Sequence, residues 1–285
     1  MCTLIIALNP SPGVAFVVGA NRDERLERPA AGPELRQHGD LSVLCPTDLL
    51  AGGTWWGVSS SGVFAAVTNR VATPAPQRRS RGELVLKALE GGDVGGALKR
   101  AKELSPEAYN PFHLLVLGVH SGRGVGGIVW SDGVALTSLT LADGAQVLTE
   151  RSFSAAPDRR SPRILSALST IGLGAEPAEW ITVLGRCLRL PGEGAEDAVD
   201  VRLDHLGYGT RSSALAIAST DGAVGLAHAD GPPGTAYESL ETLVDRLSTA
   251  REGQSTRRET AKAWVRDGVA ALDEAPPARG GRGQL

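Results

Sequence analysis

Apolar residues fall in short runs rather than long ones. "CTLIIAL" (2–8) and "VAFVVGA" (14–20) flank "NPSPG", with its two prolines and a glycine. Such runs bounded by turn residues predict a β-hairpin with a longer loop. "WWGVSS" and "GVFAAVT", split by Ser61-Gly62, predict a second hairpin. Residues 25–54, between the two, are polar and rich in Pro and Gly, and predict a long irregular excursion. Ser80 with Glu83 forms a capping-box pattern ahead of "LVLKALEGG", and a second helical stretch follows near 94–104.

Strand character returns in "FHLLVLG", "GGIVW", "VALTSLT" and "QVLTE". Ser161-Pro162 predicts an N-cap followed by Pro at the first helical position, opening helices near 162–171 and 176–188. "SALAIAS" and "AVGLAHA" predict a third hairpin around Thr220-Asp221-Gly222. Residues 236–250 and 256–274 have amphipathic helical spacing and predict packing on the domain or on a second subunit; 275–285 reads as a disordered tail. Antiparallel clusters separated by helix pairs exclude regular βαβ alternation and predict an α+β fold of layered sheets covered by helices. The expected divisions are a domain over 1–235, a helical extension over 236–274, and the tail.

Composition narrows the function. Hydrophobic residues make up 42% and charged residues 21% of 285, a globular balance, and the net charge of -3 gives no sign of a polyanion-binding surface, so nucleic acid is not expected. No apolar run approaches the roughly 20 residues of a bilayer span. "CTLIIAL" lacks the basic leader and cleavage site of a signal peptide. Cys2, Cys45 and Cys187 are odd in number and widely spaced, which suits a reducing, cytoplasmic setting. The five histidines (38, 113, 120, 205, 228) show no metal spacing, so no metal is expected. "GDVGG" and "GRGVGG" lack the context of a phosphate loop and read as turns.

The first candidate chemistry is the terminus itself. Removal of Met1 leaves Cys2 with a thiol and a free α-amine. An α-amine of pKa about 7.7–8.0 is partly neutral near pH 7 and can act as general base for its own thiol. "GANRDE" follows the second strand of the same hairpin, which places it to return close to Cys2. Alternation puts Asn21 and Asp23 on one side, Arg22 and Glu24 on the other. A carboxylate beside the α-amine orients it and raises its proton affinity. The plain alternative is a buried small residue at a strand start and a solvated turn of ion pairs, each contributing about 0–1 kcal/mol.

Four blocks, "MCTLIIALNP", "GANRDE", "GGTWWGVSSSGVFAAVTNR" and "GYGTRSS", together resemble the NRDE or TANGO2 (transport and Golgi organisation 2) family and occur in its order. That family resembles N-terminal-nucleophile hydrolases of the choloylglycine hydrolase and penicillin V acylase type. The resemblance implies a four-layer αββα sandwich with antiparallel sheets. It also implies catalytic roles for Cys2 (nucleophile), Asp23 (α-amine partner), Asn69 (oxyanion donor) and Arg211 (polarising or carboxylate-binding). Two departures stand out. The acylases carry an arginine ahead of their aspartate in a "GRNLD"-like block, and Arg22 is out of register with it. Where they place a second asparagine, "VLTERS" has Glu150, a carboxylate that would oppose an oxyanion.

The remaining candidates line the substrate: Asn21, Arg22, Glu150 and the pair Trp55-Trp56. Strand alternation sends one tryptophan to the core and the other toward a pocket near Asn69. The expected function is a cysteine amidohydrolase acting on a small-molecule amide, without cofactor and possible as a homo-oligomer. The alternative, implied by the resemblance because members of that family are linked to haem mobilisation, is a non-catalytic carrier of a ligand such as haem; a single His or Cys can ligate haem.

Overall fold

The computed structural model describes residues 2–153, 156–172, 174–194, 196–232, 234–248 and 258–274. The chain starts with β1 (Cys2–Ser11), β2 (Val14–Arg25), β3 (Ala30–His38), β4 (Leu41–Asp48), β5 (Trp56–Ser59) and β6 (Phe64–Asn69). Helices α1 (Gly82–Leu89) and α2 (Val94–Lys102) follow. Next come β7 (Phe112–His120), β8 (Arg123–Ser131), β9 (Leu136–Thr140) and β10 (Gly144–Thr149). Helices α3 (Arg160–Leu168) and α4 (Pro177–Leu188) precede β11 (Arg202–Leu203), β12 (Tyr208–Ser219), β13 (Val224–Ala229) and β14 (Glu238–Ser239). Helices α5 (Glu241–Ser248) and α6 (Arg258–Glu274) end the described chain.

The strands form two antiparallel sheets. One has the order β10-β1-β2-β12-β13-β14, with β11 on β12; the other runs β3 to β9 in chain order. The sheets pack face to face through Leu4, Ile6, Leu8, Phe16 and Val18 on one side and Leu44, Trp56, Val58, Phe64 and Leu115 on the other. Strand alternation sends Ile5, Ala7 and Val17 to the opposite face, against Ile164, Ile181, Leu184, Val265 and Leu272 of α3, α4 and α6. Val43, Ala65, Leu114 and Val116 face Leu84, Val85, Leu89 and Ala97 of α1 and α2. Helix, sheet, sheet, helix: this is the four-layer αββα sandwich. Burial on both faces explains why "CTLIIAL" reads as a continuous apolar run. No helix among the described residues is long and apolar enough to cross a membrane.

Four local expectations need correction. Residues 25–54 are not irregular: β3 and β4 form a hairpin from Ala30↔Asp48 to His38↔Leu41, turning at Gly39 (φ 59°). As a sheet edge β3 needs only one buried face, and its Pro33 lies within a register shift between Ala31 and Glu34, where no ladder donor is required. The Ser80–Glu83 capping box is half made. Ser80 Oγ accepts from the Gly82 N–H at 3.3 Å, but Glu83 turns to Arg79 and Lys87. Helix α3 begins two residues before Pro162, and Asp158 accepts from the Arg160 N–H (3.0 Å) and from Ser161 Oγ. Pro162 thus sits within the first turn, where its missing N–H is no loss. Where the helix is expected to begin, the chain instead forms β14 at Glu238–Ser239, so the helix starts at Glu241; it is described as far as Ser248, and 249–250 lie outside the described residues. Met1 and the predicted tail, 275–285, lie outside the described residues.

Candidate active site

The site is built where β1 begins. Cys2 pairs with Arg22 of β2, and Asp23 pairs with Thr210 of β12. Directly paired residues share a sheet face, so Cys2 and Arg22 lie together, and Asp23 takes the opposite face. Thr210 Oγ1 donates to Asp23 Oδ1 at 2.7 Å, and the Tyr208 hydroxyl donates to the Asp23 carbonyl at 2.9 Å. Asp23 is buried, and burial lifts its carboxyl to about 6. Burial also pushes the Cys2 thiol up and the Asp23 carboxylate adds to this; the Asp23 main-chain N–H and the Arg22 guanidinium oppose it. Of the three cysteines, Cys2 is half-exposed and the other two are buried.

A cleft of about 310 Å³ opens at this point, lined by Cys2, Arg22, Asp23, Trp55 and Asn69 among others. Asn69 ends β6, opposite Phe112 of β7. The tryptophans diverge. Trp56 is core, stacked on Phe64 with centroids 6.4 Å apart, and half-buried Trp55 carries the Arg22 guanidinium 4.3 Å above its ring. That contact contributes about 0.5–2 kcal/mol and fixes Arg22 against the cleft wall.

Besides Trp56, three predicted site residues lie elsewhere. Asn21 faces the helix layer, donating to the Leu188 and Val199 carbonyls (both 2.9 Å) and accepting from Ser213 Oγ (2.7 Å). Its amide is thereby committed to joining β2, α4 and β12, not to a substrate. Arg211 falls at a register shift in β12, between Thr210 and Ser212, and Nη1 donates to exposed Asp230 at 3.0 Å. The extra residue of a bulge turns its side chain off the regular alternation, and Arg211 does not line the cleft. Glu150 is buried with Arg160, whose Nη1 donates to Oε2 at 3.0 Å, and Arg151 Nε lies 3.5 Å from Oε1. Its charge is neutralised by arginine and the residue does not line the cleft, so Glu150 is no obstacle to an oxyanion there.

Sequence reasoning missed the loop 70–81 and the start of α1. Arg78, Arg79, Ser80, Arg81 and Gly82 all line the cleft, as do Arg28 and Asp48. Helix α1 is held there by backbone contact. The Thr54 N–H donates to the Gly82 carbonyl at 3.1 Å, and a Cβ on Gly53 would meet Gly82 Cα at 2.6 Å. The signal available was "GGT" followed by "RRSRGE", but an arginine-rich stretch beside prolines reads as solvated surface.

The architecture has known counterparts. Penicillin V acylase from Agrobacterium tumefaciens superposes with a TM-score of 0.56 at 14% identity, covering 87% of this chain and 89% of that one. The Caenorhabditis elegans ortholog of N-acylethanolamine-hydrolyzing acid amidase gives 0.54 at 15% identity, covering 77% and 93%. A conjugated bile acid hydrolase from Clostridium perfringens gives 0.52 at 10%, covering 87% and 94%. At these identities the likeness is one of fold. In sequence, the Transport and Golgi organization protein 2 homolog of Homo sapiens is 33% identical over 133 residues, 44% of this chain and 48% of that protein. The Mus musculus homolog is 32% identical over the same length. The chain therefore spans about half the length of the curated relatives it matches. The model of the family described as Transport and Golgi organisation 2 matches residues 1–154, more than half of the sequence, and the chain belongs to that family.

Proposed function

We propose that this chain is a cysteine amidohydrolase of the N-terminal-nucleophile type, cleaving the C–N bond of a small amide. The observation that carries the reading is the meeting of half-exposed Cys2, Asp23 and Asn69 at one cleft. With Met1 removed, the α-amine of Cys2 takes the thiol proton and the sulfur attacks the amide carbonyl carbon. The Asn69 side-chain amide donates to the oxyanion, and Asp23 holds the resulting ammonium. The ammonium returns its proton to the leaving nitrogen as the C–N bond breaks, leaving a thioester and a free amine. Water, deprotonated by the same α-amine, attacks the thioester and releases a carboxylic acid and the Cys2 thiol.

Limited alkylation with iodoacetamide followed by peptide mapping tests this. Cys2 is expected to label before Cys45 and Cys187, which are 0% and 1% exposed, and Cys2→Ala to abolish amide turnover. First labelling at Cys45 or Cys187 would remove the basis of the proposal.

A second reading, a carrier that binds without turnover, is favoured by the upward push of burial on the Cys2 thiol, which keeps it protonated at rest. Haem is a poor fit as its cargo. Ala51, Trp55 and Val67 are the main apolar side chains of a cleft of about 310 Å³ otherwise lined by charged and polar groups, and Cys2, not His113 or His228, is the residue of haem-ligating type that lines it. Tight binding of an amide without turnover by the processed protein would favour this second reading.

A further inference from the structure

The cleft charges do not balance. Arg22, Arg28, Arg78, Arg79 and Arg81 face Asp23, Glu24 and Asp48, five cations against three carboxyl groups. Arg28 is taken up by Asp48 at 2.8 Å and Glu24 at 3.8 Å, and Arg79 by Glu83. Among the described residues, Arg78 and Arg81 make no ion pair and donate to main-chain carbonyls. Arg78 donates to Tyr109 (2.8 Å) and Gly133 (3.3 Å), and Arg81 donates to Pro111 (3.1 Å). Carbonyl dipoles orient a guanidinium without neutralising it.

Arg22 adds the decisive feature. It is 6% exposed, its nearest carboxylates are 3.6 Å (Asp48) and 3.9 Å (Glu24) away, and its Nη1 is buried without a hydrogen-bond partner among the described residues. A buried donor left unmatched in a cleft is a standing preference for an acceptor. The N-terminal end of α1 faces the same space through Ser80, Arg81 and Gly82, and its dipole favours negative charge.

We propose that Arg22, Arg78 and Arg81 form an anion subsite beside Cys2, which takes an oxyanion group, carboxylate or phosphate, carried by the substrate. The substrate class is then an anionic amide. This rests on the cleft being the substrate site, as proposed above, but not on turnover. An anion accepts from Arg22 Nη1 and from Arg81, while Trp55 and the two carbonyl contacts of Arg78 keep the guanidiniums preorganised.

The test is an NMR titration of the full chain carrying Cys2→Ala, following arginine side-chain Nε–H signals at constant ionic strength. The probes are acetate, inorganic phosphate and pyrophosphate. Saturable shifts at Arg22 and Arg81 are expected from at least one. The stronger of acetate and phosphate names the substrate's charged group. Arg81→Gln is expected to weaken binding about tenfold and Arg81→Lys less, since lysine keeps the charge but not the fork. Arg78→Gln serves as an independent variant if Arg81→Gln does not fold. No saturable shift with any anion, or unchanged affinity in folded Arg81→Gln and Arg78→Gln, overturns the subsite. Anion binding to Cys2→Ala together with no amide turnover by the processed wild type would leave the subsite standing and remove the hydrolase reading. Turnover without anion binding would do the reverse.

Discussion

At the scale of single residues, the site is governed by what burial does to charge. Burial lifts the Asp23 carboxyl to about 6, with the terminal ammonium first and then the Thr210 hydrogen bond to Oδ1 opposing the shift. A carboxyl whose folded pKa lies above its unfolded value of about 3.9 binds its proton more tightly in the fold. Its contribution to stability therefore falls as pH rises from about 4 to about 6, and above that the ionised group is a net cost. Asp23→Asn is accordingly predicted to stabilise the protein by about 1–3 kcal/mol at pH 7, with little effect near pH 4. It is also predicted to slow alkylation of Cys2, since the amide no longer holds an ammonium. Thermal melts at both pH values beside labelling rates check this; destabilisation at pH 7 with unchanged labelling would make Asp23 an ordinary structural residue. Glu150 and Arg160 show the same physics resolved differently. There the two charges are paired at 3.0 Å, and removing one partner of such a buried pair costs on the order of 3 kcal/mol.

At the scale of elements, the cleft depends on a backbone contact that no side chain mediates. Gly53 and Gly82 approach so closely that a Cβ on Gly53 would lie 2.6 Å from Gly82 Cα and C. Gly53→Ala must push α1 outward, and is predicted to destabilise by about 1–3 kcal/mol and to weaken anion binding along with it, measured by denaturant unfolding and by titration. Full retention of both would show that α1 yields without consequence. The hairpins β1–β2, β5–β6 and β12–β13 were legible in the sequence because each is an apolar pair around Gly or Pro turn residues. The β3–β4 hairpin was not, because an edge strand with a bulge proline looks like a loop. The nucleophile candidate, Asp23 and Asn69 could be placed by motif. Arg78 and Arg81 could not, because an arginine in solvent and one over a cleft have the same neighbours in sequence. Resemblance alone points Arg211 to the site, and a motif match carries no sign of the one-residue bulge that turns its side chain away from the cleft.

At the scale of the whole molecule, α6 is part of the sandwich rather than an appendage. It packs on α4, β12 and β13, burying Ala261, Val265, Val269 and Leu272, and Leu272 fills the space left by Gly185. Fully burying one such aliphatic side chain contributes about 1.5–3 kcal/mol, so three of them approach the whole stability of a typical domain, about 5–15 kcal/mol. Truncation after residue 248 is therefore predicted to abolish cooperative unfolding and expose dye-binding apolar surface; a truncated chain with an unchanged melting transition would contradict this. The two sheets also differ in when they can exist. The seven-stranded meander β3 to β9 pairs only neighbours along the chain, so all its strands have been made once Thr140 has been translated. The sheet that presents Cys2 pairs β1 with β10 and β2 with β12, so its first hairpin must wait, with apolar residues on both faces, for partners ending at Thr149 and Ser219. During synthesis the hairpin bearing Cys2 thus emerges well before the strands that complete its sheet, and that interval is when the nascent chain has most need of a chaperone.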